Sequence, residues 1–84
     1  MAIDELQCYI KAMLNRSLGK RIAELRKTKG LAQEELAELA RYSTEFIGLV
    51  ERGVNAPSVA GLDRIARALG VDIKDLFDFQ GEAN

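Results

Sequence analysis

The chain has 84 residues, 48% of them hydrophobic and 30% charged, which is the size of one domain and a folding rather than a disordered composition. It has no histidine, no tryptophan and one cysteine, which excludes a four-ligand zinc site, a histidine-dependent triad and a disulfide framework. Lys plus Arg number 12 against 13 Asp plus Glu, a net charge of -1; taken alone, that balance argues against a nucleic-acid partner, because domains of that kind usually carry excess positive charge.

Residues 1–14 read as a separate amphipathic helix, with Ile3, Leu6, Ile10 and Met13 recurring at three and four residues, close to a heptad. Two readings stay open for it: packing on the rest of the chain, or contact with a second copy. Cys8, inside this stretch, reads as a small apolar residue, since no base or second cysteine stands near it. Asn15 or Ser17 is placed to cap the next helix, which carries Leu18, Ile22 and Leu25 and runs to about Lys29, with Gly30 as its left-handed terminator.

A second helix is expected to start near Gln33 and end near Ala40. Arg41, Tyr42 and Ser43 follow, and Ser43 can cap a third helix from Thr44 to about Arg52, terminated by Gly53. A loop from Val54 to Pro57 leads to Ser58, the cap of a fourth helix ending at Gly70. Asp72 can cap a short fifth helix holding Ile73, Leu76 and Phe77. Five short helices with brief connections make a compact all-α bundle, and the N-terminal helix stands before them.

No apolar run approaches the roughly 18 residues of a membrane span, and the N-terminus lacks the basic start and apolar stretch of a signal peptide. A cytoplasmic protein with a free thiol is expected, with no metal, no cofactor and no membrane partner. Glu34, Glu35 and Asp63 are the candidate acids, and without histidine, a metal set or a glycine loop they give no catalytic residue; no enzyme is expected. The fifth helix is followed closely by Asn84, so no sensing or catalytic domain is expected after it.

Function concentrates between residues 33 and 53. Gln33-Glu34-Glu35-Leu36-Ala37, then after five residues Ser43-Thr44-Glu45-Phe46-Ile47-Gly48-Leu49-Val50-Glu51-Arg52-Gly53, fits two short helices joined by a three-residue turn, a helix-turn-helix. Around it stand Leu18-Gly19-Lys20-Arg21-Ile22, Leu25-Arg26, Gly30-Leu31, Asn55-Ala56-Pro57-Ser58 and Ala68-Leu69-Gly70-Val71. Taken in register from Leu18 to Phe77, the pattern resembles the Cro/phage-repressor-type helix-turn-helix family, also called the XRE family.

The resemblance implies a lambda-repressor-like five-helix domain over 15–79, preceded by the extension at 1–14 and followed by a tail at 80–84. It makes 44–52 the recognition helix, lying in the major groove of double-stranded DNA. Ile47 and Val50 share one helix face and must be buried, leaving Thr44, Glu45, Gly48, Leu49 and Arg52 on the others. Thr44 suits a base edge or a thymine methyl, and Glu45 can accept from cytosine N4. Gly48 lets the backbone come close. Leu49 stands where the family usually has a polar residue, and either reads a thymine methyl or packs on the neighbouring helix.

For the DNA backbone the candidates are Gln33, Ser43, Arg41, Arg52, Asn55 and Lys27. Gln33 matches a family residue that grips a phosphate and braces the recognition helix, although a helix-start polar residue would look the same. Asn55 reads equally as turn chemistry. The resemblance assigns Arg26 and Glu51 to a structural ion pair between the first and third helices of the domain. Two departures stand out. Ala32 replaces the usual Ser or Thr cap of the second helix, at a cost of roughly 1 kcal/mol. Arg41 stands where the turn often has a left-handed glycine, with about 1 kcal/mol of strain. Tyr42, beside it, is expected to place its ring in the core and its hydroxyl at the surface.

The charge is segregated. Residues 16–29 hold six cations (Arg16, Lys20, Arg21, Arg26, Lys27, Lys29) against Glu24, and the remaining segments are acidic. The expected function is a sequence-specific transcriptional regulator of the kind that resembles small restriction–modification controller proteins. It is expected to bind a two-fold-related operator as a homodimer, through Leu69, Val71, Ile73, Leu76, Phe77 and Phe79. An antitoxin- or adaptor-type interaction module on the same fold is the alternative.

Overall fold

A computed structural model describes residues 2–79; the tail expected at 80–84 lies outside them. The helices are α1 (Ile3–Thr28), α2 (Gln33–Ala40), α3 (Thr44–Glu51), α4 (Val59–Leu69) and α5 (Ile73–Leu76). No strand occurs among the described residues. The all-α, five-helix architecture is as expected, with one correction. The extension over 1–14 is not a separate helix but the first half of α1, which passes through Asn15 and Ser17 without a break. The physical reason is that no glycine or proline stands between Ile3 and Leu18, and a mid-helix Asn or Ser costs only a few tenths of a kcal/mol. Nor does that half pack on the bundle, because residues 2–14 are exposed throughout.

The remaining boundaries follow local chemistry. Ser43 Oγ accepts from the Phe46 N–H at 3.0 Å and Ser58 Oγ from the Gly61 N–H at 3.1 Å, capping α3 and α4. At α2 Ala32 offers no oxygen, and only the reverse half of the capping box forms, with the Ala32 N–H donating to Glu35 Oε1 at 2.8 Å. Arg41 ends α2 at φ 62°, the only non-glycine residue with positive φ among those described.

The core is Leu18 and Ile22 of α1, Leu36, Ala37 and Ala40 of α2, Ile47 and Val50 of α3, Ile65, Ala66 and Leu69 of α4, and Leu76 of α5. Each helix thus turns apolar side chains to one side, into the shared core. Two of the expected dimer residues are corrected by this packing. Leu69 is 2% and Leu76 0% exposed, so their side chains close the core of one chain and cannot meet a second. Val71, Ile73 and Phe79 are partly buried against that core, and Phe77 remains exposed.

Two close approaches fix α3 against α1. A Cβ on Gly19 would collide with the Val50 carbonyl, and one on Gly53 (φ +78°) would lie 2.7 Å from the Arg16 Cα. Both positions therefore exclude side chains, and α3 crosses α1 at backbone contact.

Candidate nucleic-acid interface

α3 is held from beneath by a polar network. Arg26 Nε donates to Glu51 Oε2 at 2.7 Å and Nη2 to Oε1 at 3.1 Å, a two-pronged contact with the side chains only 12% and 7% exposed. Arg26 Nη1 also donates to the Leu31 carbonyl at 2.8 Å. Gln33 Nε2 donates to the same Glu51 Oε1 at 2.9 Å. One guanidinium and one amide thus tie α1 and the start of α2 to the end of α3. The ion pair matches its expectation, and the bracing of α3 by Gln33 has a direct geometric basis.

On the outer side, Gln33, Thr44, Glu45, Gly48, Leu49 and Arg52 line one open groove of about 330 Å3. All four residues expected to read bases fall in it, together with two of the six expected on the backbone. Thr44, Glu45 and Arg52 are exposed, and Gly48 and Leu49 half-buried. Leu49 lines the groove and stands outside the set of hydrophobics packed on the core. A Cβ built on Gly48 would meet no atom within 4 Å; nothing among the described residues requires a glycine there. Ser43, Arg41, Asn55 and Lys27 are exposed but lie outside the lining of that groove. Ser43 Oγ accepts the α3 cap bond, which leaves its hydroxyl hydrogen free to donate.

The basic stretch 16–29 is not wholly available to a ligand. Arg26 is consumed by Glu51. Arg21 Nε donates to the Asp75 carbonyl at 2.9 Å, joining α1 to α5. The Lys29 ammonium lies against Gly70 at the C-terminal end of α4, where a cation complements the helix dipole. At least three of its cations, Arg21, Arg26 and Lys29, are therefore turned to the bundle rather than to a ligand.

Some structural residues escape sequence reasoning. Arg64 Nε donates to the Ala40 carbonyl at 2.7 Å, satisfying the end of α2, and its guanidinium lies 4.8 Å from the Tyr42 ring centre. Tyr42 also packs on Phe46 at 4.6 Å. Its ring joins the core as expected, while its hydroxyl lies over Gly61, leaving no room for a Cβ there. A glycine within a helix costs about 1 kcal/mol against alanine, so Gly19 and Gly61 each signal a reason of this kind. Arg64 carries no comparable signal. Among the described residues no His, Cys, Asp or Glu group converges as a metal site, and no helix is long and apolar enough to cross a membrane.

The Helix-turn-helix family profile matches residues 22–76. The chain belongs to the helix-turn-helix family. An HTH-type transcriptional regulator of Sinorhizobium fredii is 36% identical over 63 residues, 75% of this chain and 82% of the relative. The control protein C.BamHI of Bacillus amyloliquefaciens is 36% identical over 62 residues, 73% of this chain and 76% of that one. Among solved structures, the restriction-modification controller protein C.AhdI from Aeromonas hydrophila superposes with a TM-score of 0.73 at 38% identity, over 75% of this chain and 96% of that one. The resemblance to XRE-type regulators and to controller proteins therefore holds over the helix-turn-helix and the helices that support it.

Proposed function

We propose that this protein is a cytoplasmic, non-catalytic transcriptional regulator that binds a two-fold-related double-stranded DNA operator as a homodimer, with α3 in the major groove. One observation carries the reading: Thr44, Glu45, Gly48 and Leu49 share an open groove whose rim is set by Gln33 and Arg52. A helix presented by its neighbours with exposed polar side chains, a bare glycine and one apolar methyl source is suited to base edges. Family membership supports the same conclusion.

In this reading Thr44 and Leu49 contact thymine methyls or base edges, and Glu45 accepts from cytosine N4. Gly48 admits the DNA close to the backbone. Gln33, Ser43, Arg41, Arg52, Asn55 and Lys27 hold phosphates and set the register. The second Gln33 amide hydrogen serves a phosphate while the first holds Glu51.

Selection from randomised duplexes at two salt concentrations tests the proposal. Enrichment of a two-fold-symmetric motif is expected, and Glu45→Ala should relax preference at one position of each half-site without changing the melting temperature. If no sequence is enriched, the regulator reading falls and the interaction-module reading replaces it.

A further inference from the structure

Among the described residues, nothing covers the first half of α1. Ile3, Leu6, Tyr9, Ile10, Met13 and Leu14 are each between 46% and 74% exposed, on the order of 600 Å2 of apolar side chain, the top of the range for a soluble monomer. Most helical stability in proteins comes from packing of an apolar face. Ile3, Leu6, Ile10 and Met13 fall at the a and d positions of two heptads, with Tyr9 and Leu14 on opposite flanks.

We propose that this face is covered by the same face of a second copy, running antiparallel about a two-fold axis level with Cys8. In that register Ile3 of one copy stacks on Met13 of the other, and Leu6 on Ile10, so all four layers are apolar. Cys8 itself lies on the outer side of the pair and stays a free thiol.

Charge selects the antiparallel sense. The continuation of the same helix over 16–28, with Lys29 at its C-cap, keeps five cations besides the Glu51-paired Arg26 against the one anion Glu24, whereas its first turn carries Asp4 and Glu5. Parallel pairing lays the two basic stretches side by side. Antiparallel pairing sends them to opposite ends, sets each acidic turn beside the Lys11 end of the other copy and opposes the helix dipoles. Mutual coverage buries at most about 1,200 Å2 in total, the lower limit for a stable specific interface. The dimer therefore dissociates on dilution.

The surface proposed here goes beyond the DNA-binding reading and rests on it only for its consequence. Gly19, where α3 crosses α1, is eleven residues from the axis, about 16 Å along the helix. The two α3 helices then stand at least about 33 Å apart, so half-sites centred one DNA turn apart, about 34 Å, are the closest a dimer of this kind can span.

Sedimentation equilibrium of the full chain without DNA tests the surface. A concentration-dependent monomer–dimer equilibrium is expected, and Leu6→Glu with Ile10→Glu, both at exposed positions, should raise the dimer dissociation constant at least 100-fold. Disulfide trapping in a Cys8→Ser background reads the sense of pairing: Gln7→Cys, beside the axis, should give a covalent dimer, and Ile10→Cys should not. A monomeric wild-type chain, a dimer that survives the double substitution, or trapping by Ile10→Cys in place of Gln7→Cys each overturns the proposal. A surviving dimer that still selects a symmetric motif leaves the DNA reading intact; an α1 dimer that selects no sequence overturns that reading alone.

Discussion

Gly48 sits in the middle of α3 with no protein atom near the place a side chain would take. Replacing it by alanine therefore removes a helix penalty of about 0.5–1 kcal/mol without a clash. Gly48→Ala should raise stability to urea by about that amount and, by adding a methyl to the groove floor, weaken operator binding in a fluorescence-anisotropy titration. A loss of stability would show that the position is structural. Glu51 is the opposite kind of residue. It accepts from both Arg26 and Gln33 in a nearly water-free place, so Glu51→Ala leaves a buried guanidinium and an amide without their acceptor. A cost of about 3–5 kcal/mol in urea unfolding is expected, and a variant as stable as wild type would sink the pair's structural role. Both residues were legible because their types recur at fixed places in a recognisable motif. Arg64 was not: an exposed-looking arginine in a helix gives no sign that its guanidinium reaches a carbonyl 24 residues earlier.

At the scale of the element, α2 shows how a missing cap is tolerated. Its N-terminus keeps the Glu35 half of the box and lacks the Ala32 half. Ala32→Ser should supply the second bond, stabilising by roughly 1 kcal/mol and raising the melting temperature by about 4–8 °C for a domain of this size; an unchanged melting curve would reject the local account. The approximate bounds of α2 were readable, since the turn around Arg41 closes the helix and Gln33 follows the break at Gly30. The start of the first helix was misread for a related reason. Asn15 and Ser17 have the side chains of caps, but a cap requires backbone outside the helical region, and nothing at Leu14 or Asn15 forces the chain out of it.

For the molecule as a whole, charge is what the sequence describes least well. Counting residues locates the cations but not their targets, and Arg21, Arg26 and Lys29 turn out to be spent on α5, α3 and α4. With Lys27, Arg41 and Arg52 as the phosphate-facing cations of each copy, a dimer neutralises about six phosphates. The slope of log K against log salt should then be about -5. Lys27→Ala should make it shallower by about 1 per copy, whereas Lys29→Ala should leave it unchanged; equal effects of the two would mean that Lys29 also faces DNA.

The unbroken course of α1 has one more consequence. Because a single helix runs from the free seam to the crossing with α3, the azimuth of that seam is locked to the bundle at 100° per residue. One alanine inserted after Asn15 swings the seam about a quarter-turn around the helix, and four carry it once round and some 40° beyond. Any property that depends on both ends of the molecule should therefore oscillate with the number of residues inserted rather than decay steadily.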